Sequence, residues 1–243
     1  MVNLLYVNGC SHTAAAEAVV PECFAVDDGR HGIDRRPHPE NLKASWCTVV
    51  GQAINVPVIC DAESGGSNPR ILRTTRQWIS NNPDKLSNVL MILQWTTWER
   101  QEWYYDNRWY QVNASGWDWV PEPLQQQYRQ FVIDVDWNEA TNRCHREIWQ
   151  LHRELTDLGI KHLFYSGHST FSDIETKHDW GASYMEPYNR NGSYNAVLKN
   201  NNFDYVNPKT FHFGAEAHRF WGHYVLQYLH NHNFLTPNEI SPD

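Results

Sequence analysis

Residues Val89-Leu90-Met91-Ile92-Leu93 run apolar without a break and lead into Gln94-Trp95-Thr96-Thr97. Five apolar residues without polar alternation mark a strand buried on both faces, as in a parallel sheet with helices above and below. Upstream, Leu4-Leu5-Tyr6-Val7 is a second short apolar run, and Asn8-Gly9 turns the chain at its end. Residues 56–60 read as a third strand. Pro57 inside it lacks a ladder donor, which places that strand at a sheet edge. Residues 161–165 and 203–206 complete an expected set of five.

Helices fall between these strands. Residues 14–19 suggest a brief one. Leu42, Trp46, Val49, Val50 and Ala53 have helical spacing, as do Ile71, Thr75, Trp78 and Ile79 after a capping Ser67 or Asn68 and Pro69. Ala140, Cys144, Ile148, Leu151, Leu155 and Leu158 repeat at three and four residues up to Gly159, and a last helix carries Ala217, Trp221, Val225 and Leu229. Residues 27–40, rich in Gly, Pro and charge, read as a loop. Alternating strands and helices predict an α/β fold: three layers around a doubly wound, parallel, five-stranded sheet ordered 2-1-3-4-5. Residues 1–243 read as one domain, with residues 99–136 as an insertion.

The formal net charge of −8 argues against nucleic acid as a partner, because phosphate binding needs a basic surface. Five cysteines, without a CxxC pair, fit free thiols in a reducing compartment. No apolar run approaches the ~18–20 residues of a membrane helix, and the first residues lack the basic start of a signal peptide. The expected setting is therefore cytoplasmic, with no membrane partner. Oligomeric state leaves no mark in the sequence. Thirteen histidines invite a metal, yet there is no HExxH, and His230-x-His232 sits near the C-terminus, so neither metal nor cofactor is expected.

In a doubly wound sheet the ligand site lies beyond the carboxyl ends of the strands. Gly9-Cys10-Ser11-His12-Thr13, Ser64-Gly65-Gly66-Ser67-Asn68 and Gln94-Trp95-Thr96-Thr97 occupy those ends, and Phe211-His212-Phe213-Gly214 leads into the last helix. A hydroxyl at a strand mouth, a Gly-rich loop with free N–H groups and a late histidine supply a nucleophile, oxyanion donors and a base. These segments, in this order over nearly the whole chain, resemble the SGNH (GDSL-type) hydrolase family. The resemblance implies Ser11 as nucleophile, Gly65 as an oxyanion-hole donor and His212 as general base. The wording Gly-Cys-Ser-His-Thr and His-Phe-Gly-x-Glu-Ala-His is similar to bacteriophage-encoded members, which would place the chain in a virion or an infected cell.

Two positions depart from the family pattern. Thr96 stands where the family has an Asn donor, so the third oxyanion donor is Thr96 or Asn68. Lys209 stands where the family has the Asp that orients the histidine. The orienting group is then absent, a backbone carbonyl, Asp204 (nearest in sequence) or a carboxylate distant in sequence. Cys10 beside Ser11 is a possible thiol nucleophile but is expected to face the core. Seven of the 12 Trp (Trp95, Trp98, Trp103, Trp109, Trp117, Trp119, Trp137) fall within residues 95–137. Exposed aromatic faces stack on sugar rings, so Trp95, Trp98 and Trp103 are read as a substrate platform. The expectation is a serine esterase acting on a small-molecule or glycan acyl ester. A non-catalytic SGNH-like glycan-binding or structural viral protein is the rival, and a lyase or transferase at the same site a third reading.

Overall fold

The computed structural model describes residues 1–25, 35–114 and 120–235. Strands β1 (Leu4–Asn8), β2 (Val58–Cys60) and β3 (Val89–Trp95) alternate with helices α1 (Pro39–Lys43), α2 (Trp46–Ala53) and α3 (Asn68–Asn81). A hairpin of β4 (Gln101–Tyr105) and β5 (Arg108–Val112) follows, then α4 (Gln125–Asp134), α5 (Trp137–Asp157) and β6 (Lys161–Ser166). Helix α6 (Tyr194–Asn200), a ribbon of β7 (Tyr205–Asn207) and β8 (His212–Phe213), and α7 (Ala215–Asn231) complete the described chain.

Strands β2, β1, β3 and β6 lie side by side in that order, all parallel. The side-chain period of two then sorts the strands into two apolar faces. Leu5, Val7, Leu90, Ile92, Leu163 and Tyr165 face Trp46, Val50, Trp221 and Val225 of α2 and α7. Leu4, Tyr6, Met91, Leu93 and Phe164 face Ile71, Leu72, Ile148 and Leu151 of α3 and α5. Burial on both faces is why the 89–93 run shows no alternation. Truncating Ile92, fully buried, to Ala would cost about 2–5 kcal/mol. Helices α2 and α7 approach closely at Gly222, where a Cβ would meet Val49 at 2.8 Å. Edge strand β2 begins just after Pro57, whose carbonyl accepts from Leu5 N–H at 3.0 Å.

Three expectations are corrected. The parallel sheet has four strands, and the expected fifth does not join it. Strand β7 pairs antiparallel with β8 instead, because the Asn207 carbonyl collects the N–H groups of Thr210 and Phe211 and turns the chain straight back. Residues 14–19 form turns and no helix: Ala15 and Glu17 have φ of 53° and 62°, which a right-handed helix cannot contain. Of the loop expected over 27–40, residues 27–34 lie outside the described residues, and its end is the start of α1. Ser67 caps α3 by accepting from Arg70 N–H, and α5 ends just before Gly159. No helix among the described residues is long and apolar enough to cross a membrane.

Candidate active site at the strand ends

Asn8 closes β1 and fixes the turn after it. Its Oδ1 accepts from Gly9 N–H at 2.8 Å, and its amide donates to the Thr74 and Thr75 hydroxyls at 2.8 and 3.1 Å. The segment that follows coils tightly, with Thr13 and Ala14 N–H on the Cys10 carbonyl and Ala16 N–H on the Ser11 carbonyl. Ser11 is 6% exposed, and its Oγ contacts Cys10 Sγ at 3.9 Å. Cys10 is fully buried and accepts from Gln94 Nε2 at 3.1 Å, facing the interior as expected. Burial opposes its ionisation, but His168 and the Arg100 cation outweigh it and bring the thiol down to about 5.

The same coil ends in Glu17, which sequence reasoning missed. Its Oε2 accepts from His212 Nδ1 at 2.5 Å and from the Thr210 hydroxyl, and its Oε1 accepts from Asn207 Nδ2 at 3.0 Å. Partial burial works against the carboxylate, yet the three donors hold its pKa below the ordinary value. An ionised carboxylate only accepts, so the His212 proton sits on Nδ1 and Nε2 is left with its lone pair. Nε2 has no hydrogen-bond partner among the described residues. A left-handed φ at a non-glycine residue costs about 1–2 kcal/mol, and at Glu17 these three hydrogen bonds offset it.

This overturns Asp204 as the acid partner. Asp204 has a side chain 92% exposed and pairs with Lys199 Nζ at 2.9 Å, on the outside of the ribbon. Lys209 is exposed in the β7–β8 turn. The carboxylate distant in sequence is the alternative realised.

The oxyanion candidates separate by what their donors already do. Gly65 has φ of +83°, open space where a Cβ would stand, and an N–H with no partner among the described residues. Gly66 N–H is spent on the Glu63 carbonyl and Ser67 N–H on Gln111 Oε1. Ser11 N–H is likewise unengaged. Thr96 Oγ1 is buried without a partner, while Thr96 N–H donates to Asn68 Oδ1 at 2.9 Å. The Asn68 amide donates to the Thr96 and Thr97 carbonyls at 3.3 and 3.4 Å. Asn68 is therefore corrected from candidate donor to brace: its N–H groups are committed, and they lock the start of α3 to the end of β3.

Two further histidines stand near His212: His12, whose place there sequence reasoning missed, and His218, which its spacing had put on a helix face. His12 lies edge-on to it at 5.9 Å between centroids and pairs through Nε2 with His168 Nε2 at 2.9 Å. Burial, then like charge from His168, His212 and His218, drives His12 well below the usual value. His218 is buried on α7 and pushed down to about 3 by burial and then by His212. Both rings are neutral at pH 7. Only the position of His12 after the end of β1 pointed to it.

The platform expectation is corrected at Trp95 and Trp98. Trp95 belongs to β3 and packs edge-to-face on Phe164, and Trp98 stacks on Phe171 at 4.5 Å; both are core, because the sheet is covered on each side. Trp103 is half-buried against Phe131, and Arg73 lies over Trp109. Trp117 and Trp119 lie outside the described residues. A cleft of about 450 Å³ beside the edge strand and one of about 230 Å³ at the insertion are lined by neither Ser11 nor His212.

No protein-family model matches the chain, and no curated protein matches it. Among solved structures, similarity extends to a carbohydrate esterase described as having an active site with divergent catalytic and non-catalytic binding functions: 12% identity, TM-score 0.44, covering 94% of this chain and 68% of that one. It also extends to a protein from Desulfitobacterium hafniense DCB-2 assigned to the lipolytic G-D-S-L family: 12% identity, TM-score 0.34, covering 93% and 99%. Likenesses this distant carry no weight for activity.

Proposed function

We propose that the chain is a serine ester hydrolase. The observation that carries this reading is the Glu17–His212 pair, which fixes the imidazole tautomer and leaves Nε2 unpartnered. In this reading Ser11 Oγ attacks the ester carbonyl while His212 Nε2 takes its proton. Glu17 stays ionised and stabilises the imidazolium. The N–H groups of Ser11 and Gly65, with the Thr96 hydroxyl, receive the oxyanion. His212 then returns the proton to the leaving alcohol, and water activated by the same nitrogen hydrolyses the acyl-enzyme.

No hydrogen bond joins Ser11 to His212 in this structure, and in this reading the two come within reach when the carbonyl is bound between them. The low exposure of Ser11 favours a short acyl group such as acetyl. Trp95 and Trp98 lie in the core, so they offer no stacking face for the carbohydrate substrate expected from the sequence. The test is labelling with a fluorophosphonate, together with hydrolysis of p-nitrophenyl acetate against the octanoate. Labelling that disappears in Ser11→Ala, and a preference for acetate, support the reading. Folded protein that resists labelling and turns over neither ester overturns it in favour of a binding protein.

A further inference from the structure

The smaller cleft lies between the hairpin and α5. Trp103 and Phe131 form its apolar wall, and Glu99, Asp134, Glu139 and Arg143 are its charged lining. Asp136, also at the rim, is occupied in capping α5 through the N–H groups of Asn138 and Glu139. Glu99 is the unusual member. It is 9% exposed, its Oε1 accepts from the Thr97 hydroxyl at 3.1 Å, and its Oε2 is buried with no partner. Arg143, the one cation in the lining, makes no ion pair with it among the described residues. A buried carboxylate oxygen without a donor is costly, and native proteins seldom leave one unless something else supplies the countercharge.

We propose that this cleft binds a primary ammonium group on a short apolar stem, with Glu99 as its counter-ion. The lining has an excess of carboxylates, which excludes an anion. No group of three or more His, Cys, Asp or Glu among the described residues is arranged to hold a metal ion, which favours an organic cation. Its stem packs on Trp103 and Phe131, whose ring faces attract cations and alkyl carbons alike. At about 230 Å³ the cleft holds a small group, roughly seven to eight water volumes of ~30 Å³ each. The site stands apart from Ser11 and does not depend on the hydrolase reading.

The test uses full-length protein carrying 5-fluorotryptophan, with the Trp103 ¹⁹F resonance assigned through Trp103→Phe. Butylammonium chloride should shift that resonance saturably, and 1-butanol, its neutral counterpart, should not. Glu99→Gln should weaken butylammonium by about tenfold or more, as for a lost charge-assisted hydrogen bond. Arg143→Gln should tighten it by removing the competing cation, and this arm remains decisive if Glu99→Gln fails to fold. Equal binding of 1-butanol, a response to calcium chloride without one to butylammonium, or unchanged affinity in Arg143→Gln overturns the proposal.

Discussion

Two nests of imidazoles are built into this protein, and they differ in one ingredient. Around the strand ends, His12 and His218 stand near His212, His168 pairs with His12, and of the four His212 alone holds a carboxylate, Glu17. On the far face of α5, His145 stacks on His178 at 4.6 Å, His178 on Trp149 at 4.4 Å and Trp149 on His152 at 4.9 Å. His152 Nδ1 in turn meets His162 Nε2 at 2.8 Å. No ion pair enters that ladder among the described residues. Burial pushes all four of its histidines down, His145 and His162 to about 4. The same residue type thus serves two ends: with an acid beside it the ring is held in one orientation and tautomer, and without one it is a flat, neutral packing unit.

The comparison breaks most visibly at Glu17. Glu17→Gln should keep the fold but lower kcat/KM for p-nitrophenyl acetate by about 10²- to 10⁴-fold, because the imidazolium loses its countercharge and the tautomer its lock. Asp204→Asn, on the exposed side of the ribbon, should stay within about twofold. Equal effects of the two would remove Glu17 from the mechanism. Next in size, Thr96→Val should cost about 10²-fold in kcat with little change in melting temperature, the signature of a lost oxyanion donor. A change confined to KM would show that the hydroxyl serves binding alone.

The ladder is sharpened by acid. Unfolded, each imidazole takes its proton near 6.5, whereas folded His145 and His162 hold out to about 4. Between those values the unfolded chain binds more protons, so stability is full above pH 6.5 and falls as the pH drops toward 4. For His162, 3% exposed, the loss is on the order of 3 kcal/mol across that window. Thermal melts from pH 7 to 4 should show it, and His162→Gln should flatten the slope. A small effect is also expected at Lys209→Asp, within about threefold in rate. A carboxylate placed there finds Nδ1 already taken, and a large gain would mean that Glu17 is a poor partner.

Most of the scaffold was legible because burial writes itself into pattern: the 89–93 run, Pro57 at the edge, Ser67 as cap. Ser11, Gly65 and His212 were singled out from the segments in which they stand, and the proposed chemistry rests on them. Glu17 was not, for a physical reason. Its position depends on two left-handed residues, Ala15 and Glu17, in an Ala-rich stretch whose local propensity favours helix. Long-range contacts decide against the helix: Asn207, Thr210 and His212 on Glu17, and Asn41 Oδ1 on the Val19 and Val20 N–H groups. Trp95 and Trp98 misled in the opposite direction, since aromatic density says nothing of which faces a neighbouring element covers. Strand β7 was recognised as extended chain, but pairing is set by the turn after Asn207 and not by the strand's own residues.

The coil 11–17 carries a consequence for how this protein tolerates rearrangement. In the proposed mechanism nucleophile and acid ride on one short covalent tether, while the base arrives from 195 positions further along. Under that proposal, chain length anywhere between Glu17 and His212 can change without altering the spacing between attacking oxygen and acid. New termini opened at an exposed turn such as Asp106-Asn107 would leave that spacing untouched too. A circularly permuted protein cut there should keep its acid and nucleophile in register. A cut between Ser11 and Glu17 should separate them.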